Sequence, residues 1–324
     1  MGYKFILFTF YLFLTSNNVL NCPRLYNVSG QSTQRSSSTT LVTTPKPTSF
    51  RTKEPRIIGG SNAKAGQYPY QVSLKSGGAH FCGGAIIALN RILTAGHCVT
   101  QVHPNNIEVV AGILRSSDNT VVRSVSKIIC HENYTTGASG EAINDIAILE
   151  LSSPMPADNS YIEAIPTATV LNEEQNNCVV SGWGVVKWES KKVAPTLQFL
   201  RVPLVSFDKC IVRYPQLVEG QICAGYLDGS GDACQGDSGG PLACGGKLTG
   251  IVSWGYGCAT PGYPGVYADV AHYSTWLQRH LEDSSGVGVS AGDDQEDQTV
   301  SNRNCGSTVA PVCTLLLLVL KAAL

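Results

Sequence analysis

Seven short apolar runs carry the middle of this 324-residue chain: "YQVSL", "GAIIAL", "NIEVVAG", "DIAILEL", "CVVSGWG", "LTGIVSW" and "GVYADV". Most are rich in β-branched residues, and Gly, Pro or Asn separates most of them. No long helical period intervenes. Runs of this length and spacing suit half-buried antiparallel strands, and they lack the intervening helices that a βαβ fold requires. The stretch from about Ile57 to Leu281 therefore reads as an all-β barrel or sandwich. One helix is expected, over Tyr273–Leu281 ("YSTWLQRHL"), capped near Ser274 and closing the domain.

The flanks read as processing segments. Lys4 precedes the apolar run Phe5–Leu14, which has the length of a secretory h-region and is too short to span a bilayer. Residues 1–21 are expected to be a signal peptide. Residues 22–56 are rich in Ser, Thr and Pro with no apolar period, so they read as an extended propeptide or linker. Residues 282–308 are acidic and Gly/Ser-rich, a flexible stalk. In the tail 309–324 the apolar stretch from Val309 to Leu320 is only twelve residues, about 18 Å as helix against roughly 30 Å of hydrocarbon. With Asn304, Cys305 and Gly306 before it, and Ser301 as an alternative attachment point, it looks like a signal for a glycosylphosphatidylinositol (GPI) anchor. The competing reading is a sticky terminus on a freely secreted protein.

Secretion fits twelve cysteines, and Asn27 and Asn133 open N-glycosylation triplets. A net charge of −1 and the lack of any Lys/Arg run argue against nucleic-acid partners.

Chemistry concentrates in three places. Gly236-Asp237-Ser238-Gly239-Gly240 fits G-x-S-x-G, where glycines let a sharp turn expose the hydroxyl and let a substrate backbone approach. Alone that pattern is weak, because a serine needs a base within reach and a third group to orient the base. His97 in "LTAGHCV" is the candidate base; a core histidine or a His/Cys metal pair are the alternatives, and no zinc-ligand spacing accompanies it. Asp145 opens the apolar run "DIAILEL", where a carboxylate would be costly to bury without a partner. The chain order His97, Asp145, Ser238 differs from that of the α/β hydrolases and of the subtilisins.

With "RIIGG", "CGGAII", "TAGHC", "DIAILEL", "SGWG", "GDACQGDSGGP" and "GIVSWGYGC…PGVY", the stretch 57–281 resembles the trypsin-like serine proteases of the chymotrypsin fold. The resemblance implies two antiparallel six-stranded β-barrels with the active site between them and a C-terminal helix. It implies that Ser238 is the nucleophile, His97 the general base and Asp145 its orienter, with the backbone N–H groups of Gly236 and Ser238 as the oxyanion hole. Cleavage of Arg56–Ile57 would free an ammonium at Ile57 to pair with Asp237, so the chain as written is a zymogen awaiting a trypsin-like activator. Asp232 corresponds to the floor of the specificity pocket, Gly255 and Gly265 to its walls, and Tyr267 to packing at its base. The substrates implied are proteins or peptides with Arg or Lys before the cleaved bond, and proteinaceous inhibitors are implied partners. Ala233 stands where many relatives carry serine. An ammonium loses a partner there, whereas a guanidinium still grips Asp232 bidentately, so Arg is expected over Lys.

By the same resemblance, disulfides are expected between Cys82 and Cys98, Cys178 and Cys244, Cys210 and Cys223, and Cys234 and Cys258. Cys22, Cys130, Cys305 and Cys313 have no family partner; a Cys22–Cys130 bridge would keep the propeptide attached, but sequence leaves this open. Gly96 replaces the family's usual alanine, with little effect expected. No cofactor or metal ion is expected: the loop "AGILRSSDNTVV" offers one acid, Asp118, where calcium-binding trypsins supply several oxygens, and Pro264 stands where sodium-dependent relatives carry tyrosine. The rival reading is a catalytically silent homologue acting as a binding or adaptor protein, whose usual mark is a lost triad member.

Overall fold

The computed structural model describes residues 59–185 and 192–282. Chain order explains its two halves. The first is a closed antiparallel barrel of β2 (Gln71–Ser76), β3 (Ala79–Ala88), β4 (Arg91–Thr94), β5 (Glu108–Ala111), β6 (Val121–Cys130) and β9 (Ala147–Leu151), in the order β2-β3-β4-β9-β6-β5. A two-stranded ribbon, β7 (Thr135–Thr136) with β8 (Ala142–Ile143), hangs from it just before Asp145. Leu74, Ile86, Ile92, Leu93, Ile107 and Ile148 are fully buried and fill the interior.

The second half is an eight-stranded antiparallel sheet in the order β1-β11-β10-β14-β15-β16-β13-β12. Its strands are β1 (Ser61–Asn62), β10 (Cys178–Gly182), β11 (Gln198–Val202), β12 (Leu204–Val205), β13 (Gln221–Ala224), β14 (Pro241–Cys244), β15 (Lys247–Trp254) and β16 (Gly265–Asp269). The expected six strands lie in the middle, and the two edges, β1 and β12, have two residues each. The sheet is thus a half-barrel whose ends do not pair, whereas the first half closes. Val180, Leu242 and Tyr267 form its core, and the Cys178–Cys244 bridge joins paired residues of β10 and β14.

The seven runs all contribute to strands. The ten-residue β6 and the five-residue β11 escaped that reading, as did the four-residue β4, β13 and β14. β6 has mostly exposed or half-buried positions (V-V-R-S-V-S-K), so its apolar signal is diluted. The last helix, α2, spans Ser274–Glu282, one residue later than expected at each end. Tyr273 sits in the preceding turn, where its N–H reaches the Asp269 carbonyl and the Asp269 carboxylate takes the Ala271 N–H. A further short helix, α1, covers Phe207–Ile211. Among the described residues no helix is long and apolar enough to cross a membrane.

Candidate active site

His97 occupies a single 3-10 turn, Gly96–Cys98, directly after β4, and the Cys98–Cys82 bridge pins that turn to β3. Asp145 lies at the mouth of β9 and is 2 % exposed. Its Oδ1 accepts the His97 backbone N–H at 2.8 Å, and its Oδ2 accepts His97 Nδ1–H at 2.7 Å. Ser253 of β15 donates to the same Oδ2 at 2.5 Å. These bonds fix the imidazole tautomer: Nδ1 carries the proton, and Nε2 is left as the basic nitrogen. Burial lowers the His97 pKa, but the hydrogen bond and charge of Asp145 outweigh it, so the ring titrates above its ordinary value. The Cys82 and Cys98 sulfurs near the ring are bonded to each other, so they offer His97 no pair of thiolates for a metal.

Ser238 comes from the other half, on a turn between Gly236 (φ +94°) and Gly239 (φ +75°). A Cβ at Gly239 would collide with the Thr94 hydroxyl, so only glycine lets this turn press against β4. The Gly83 N–H donates to the Ser238 carbonyl at 2.8 Å, bracing the turn on the first barrel. Ser238 and Ser253, the donor to Asp145, line one cavity.

The two neighbouring aspartates have different surroundings. Asp237 is fully buried, and its two oxygens accept the Gly184 N–H at 2.7 Å and the Cys234 N–H at 2.9 Å. Burial raises its pKa to about 6, and no cation among the described residues pairs with it. Arg56 and Ile57 lie outside the described residues. His80 Nε2 donates to the Gly236 carbonyl at 2.9 Å while Ser73 donates to its Nδ1 at 2.7 Å, so the peptide between Gly236 and Asp237 is held from behind.

Asp232 is 5 % exposed, at the end of a cavity of about 170 Å3 lined also by Ala233, Ser238, Gly255, Gly265 and Tyr267. Its Oδ2 accepts the Ala259 N–H at 3.1 Å; its Oδ1 has no hydrogen-bond partner. Burial pushes its pKa up to about 7. A Cβ on Gly265 would stand 2.9 Å from that orphan oxygen, and one on Gly255 would face the Gly265 Cα at 3.8 Å. The two glycines keep a slot open to the carboxylate. Cys234–Cys258 ties the Asp232 segment to the opposite wall. Tyr267 is buried at the base with its hydroxyl also unpartnered.

The four expected bridges are all present, Cys210–Cys223 included. Cys130 is disulfide-bonded as well, to a cysteine outside the described residues, where Cys22, Cys305 and Cys313 lie. Asn133 is exposed, and Asn27 is outside the described part. Gly96 is less neutral than expected: a Cβ there would fall 2.8 Å from the Tyr134 ring and 3.3 Å from Asp145 Oδ1. In the loop before β6, the Lys75 ammonium donates to the Asp118 carbonyl at 2.9 Å and to Asn119 Oδ1 at 2.8 Å. Sequence reasoning missed Ser253, His80, Gly184 and Lys75. Ser253 and Gly184 sit inside quoted stretches, "GIVSW" and "SGWG", but nothing in their spelling reveals the distant carboxylates they serve.

Comparison with known proteins agrees with this geometry. The family model described as Trypsin matches residues 57–277. Trypsin-2 of Salmo salar is 41% identical over 234 residues, covering 70% of this chain and 96% of the salmon protein. The trypsin of Sus scrofa is 39% identical over 233 residues, with 70% and 96% covered, and trypsin alpha of Drosophila melanogaster is 43% identical over 225, with 68% and 86% covered. The match over residues 57–277, with relatives about 40% identical over most of the chain, shows that this chain belongs to the trypsin family and is a trypsin-like serine endopeptidase.

Proposed function

We propose that the chain is the zymogen of a secreted endopeptidase that cleaves after Arg in preference to Lys. Ser238 attacks the scissile carbonyl, His97 Nε2 takes its proton and returns it to the leaving amine, and Asp145 holds the imidazole and stabilises its charged form. The N–H groups of Gly236 and Ser238 receive the oxyanion; removing one such donor typically costs about 10²–10³ in rate. The observation that carries the specificity is the buried, unpartnered Oδ1 of Asp232 at the end of a glycine-walled slot. An incoming guanidinium satisfies that oxygen bidentately, and a neutral side chain leaves it orphaned. With alanine at 233, an ammonium finds one hydroxyl partner fewer.

Activation is assigned to the Arg56–Ile57 bond, with Asp237 as acceptor of the new ammonium; its buried carboxylate without a cation among the described residues supports this. N-glycans at Asn27 and Asn133 and a GPI anchor added near Asn304 complete the reading. The decisive experiment is positional peptide-library profiling of protein cleaved at Arg56. Cleavage confined to bonds after Arg and Lys, with Lys several-fold slower, is expected; equal turnover of matched Arg and Lys peptides overturns the preference. For the anchor, phosphatidylinositol-specific phospholipase C should release the protease from cells expressing the full chain. Protein retaining Leu324 in the medium, with none released, rules it out.

A further inference from the structure

The residue before Asp145 has an unusual backbone. Asn144 has φ +52°, a left-handed conformation that costs most side chains about 1 kcal/mol or more and that Asn tolerates best. Both ends of its amide are engaged. Nδ2 donates to the Asn133 carbonyl at 2.9 Å, and Oδ1 accepts the Tyr273 hydroxyl at 3.1 Å. Its own carbonyl accepts the Ile146 N–H at 2.9 Å, closing a tight turn around Asp145.

Tyr273 belongs to the last turn before α2, far along the chain. Its ring is 3 % exposed and lies edge-on to His131 at 5.3 Å, while Trp276 of α2 donates to Glu132 at 3.0 Å. Burial, then the charges of Asp145 and Asp269, push the phenol well up, so it remains a protonated donor throughout the working range. Gly220 (φ +84°) clears the space for it, since a Cβ there would fall 2.6 Å from the hydroxyl. Gln221 of β13 adds a second link from the same half, donating to the Ala142 carbonyl at 2.8 Å. Three side chains of the second half, Gln221, Ser253 and Tyr273, therefore reach across to the segment Ala142–Asp145, and one of them bonds the strained residue itself.

We propose that Asn144 and Tyr273 are positioning residues for the reaction: the Tyr273 hydroxyl, through Asn144, locks the turn that aims Asp145 at His97. This rests on the proposed roles of His97 and Asp145. Neither Asn144 nor Tyr273 touches substrate. The C-terminal helix thereby becomes part of the catalytic frame, because its N-terminal turn holds the orienting carboxylate of the first barrel.

The test uses the full chain cleaved at Arg56, with Tyr273→Phe, Asn144→Gly, Asn144→Asp and His97→Ala compared to the parent. Measured are kcat and KM on an Arg peptide, and the low-field proton resonance of the His97 Nδ1–H bonded to Asp145. Tyr273→Phe removes a single oxygen and Asn144→Gly relieves the backbone cost, so both should fold. Expected is a roughly tenfold loss of kcat at unchanged KM in both, with the resonance moved or broadened. Asn144→Asp keeps an acceptor for Tyr273 and tolerates the left-handed backbone, so it should retain more kcat than Asn144→Gly. Parental kcat and an unmoved resonance in Tyr273→Phe and Asn144→Gly, with His97→Ala inactive, overturn the positioning role alone. Activity surviving in His97→Ala overturns the catalytic reading beneath it.

Discussion

Asp145 and Asp232 are both buried carboxylates beside one cleft, and the protein treats them in opposite ways. Asp145 accepts from a backbone N–H, an imidazole and a serine hydroxyl, and sits within a clamp contributed by both halves. Asp232 has one backbone donor and one oxygen with none. The first carboxylate is finished before substrate arrives, which suits a group whose task is to hold another residue still. The second is left incomplete, which suits the proposed role of pairing with the substrate's cation. A buried acceptor without a partner costs about 1–3 kcal/mol, and a charged one more. In the proposed function that cost is the source of discrimination, because only a cation of the right length removes it.

Neutralising each carboxylate in turn breaks the comparison most sharply. Asp232→Asn and Asp145→Asn should each lower kcat/KM on Arg peptides by about 10⁴, the first by removing the charge that Arg pairs with and the second by forcing the wrong imidazole tautomer. Their effects on stability should have opposite signs. The Asp232 pKa is raised to about 7 in the folded state, so the folded state binds its proton more tightly than the unfolded chain does. Stability therefore falls as pH rises from about 4 through about 7. Asn at 232 abolishes that fall. Calorimetry at pH 8 should show Asp232→Asn melting above the parent, with no difference near pH 4. The gain at pH 8 has an upper bound of about 4 kcal/mol, the free energy needed to ionise a carboxyl held near 7 instead of near 4. Asp145→Asn should melt below the parent at pH 8, since the amide cannot accept from all three donors.

The pH profile separates the two sites next. His97 must be neutral at Nε2 to act as base, and its pKa is raised, so kcat should decline as pH falls from above the ordinary histidine range. Protonation of Asp232 near pH 7 should additionally raise KM for Arg substrates as pH falls. In Asp232→Asn the kcat limb should remain and the KM limb should vanish; a KM that still climbs would place the second titration elsewhere. Ser253→Ala removes one of three donors from Asp145, and a drop of about tenfold in kcat is expected from a lost charge-assisted bond of about 1–2 kcal/mol. The smallest effect is expected from Gly96→Ala. The Tyr134 ring, 2.8 Å from the added Cβ, has to shift, and kcat should fall by less than about fivefold, at a stability cost of about 1 kcal/mol.

What was legible in the sequence follows from how local each signal is. Strands with continuous apolar runs, such as Ala147–Leu151, declare themselves, whereas Val121–Cys130 alternates polar residues on a solvent-facing side and is easily passed over. The two edges of the half-barrel are strands of two residues each, too short to leave any pattern. At the site, Ser238, His97, Asp145 and Asp232 stand in stretches spelled as the family spells them. Ser253, His80, Asn144 and Tyr273 act over separations of 108, 156, 11 and 129 residues, and a hydroxyl or amide carries no mark of which distant group it serves. The crowding at Gly96 is hidden for the same reason: its neighbour Tyr134 is adjacent only in space.

Lys75 has a consequence of another kind. Its side chain is fully buried and closes the Arg115–Asn119 loop from inside, bonding the Asp118 carbonyl and Asn119 amide oxygen. A loop closed by a dissociable ion gains stability that grows with the logarithm of ion concentration, and it loses that stability when the ion is sequestered. A cation attached to the polypeptide carries no such dependence. Its occupancy is one in every copy from the moment of folding, and a chelator has nothing to extract. The tether this loop receives from Lys75 is therefore the same in ion-poor and ion-rich fluids alike.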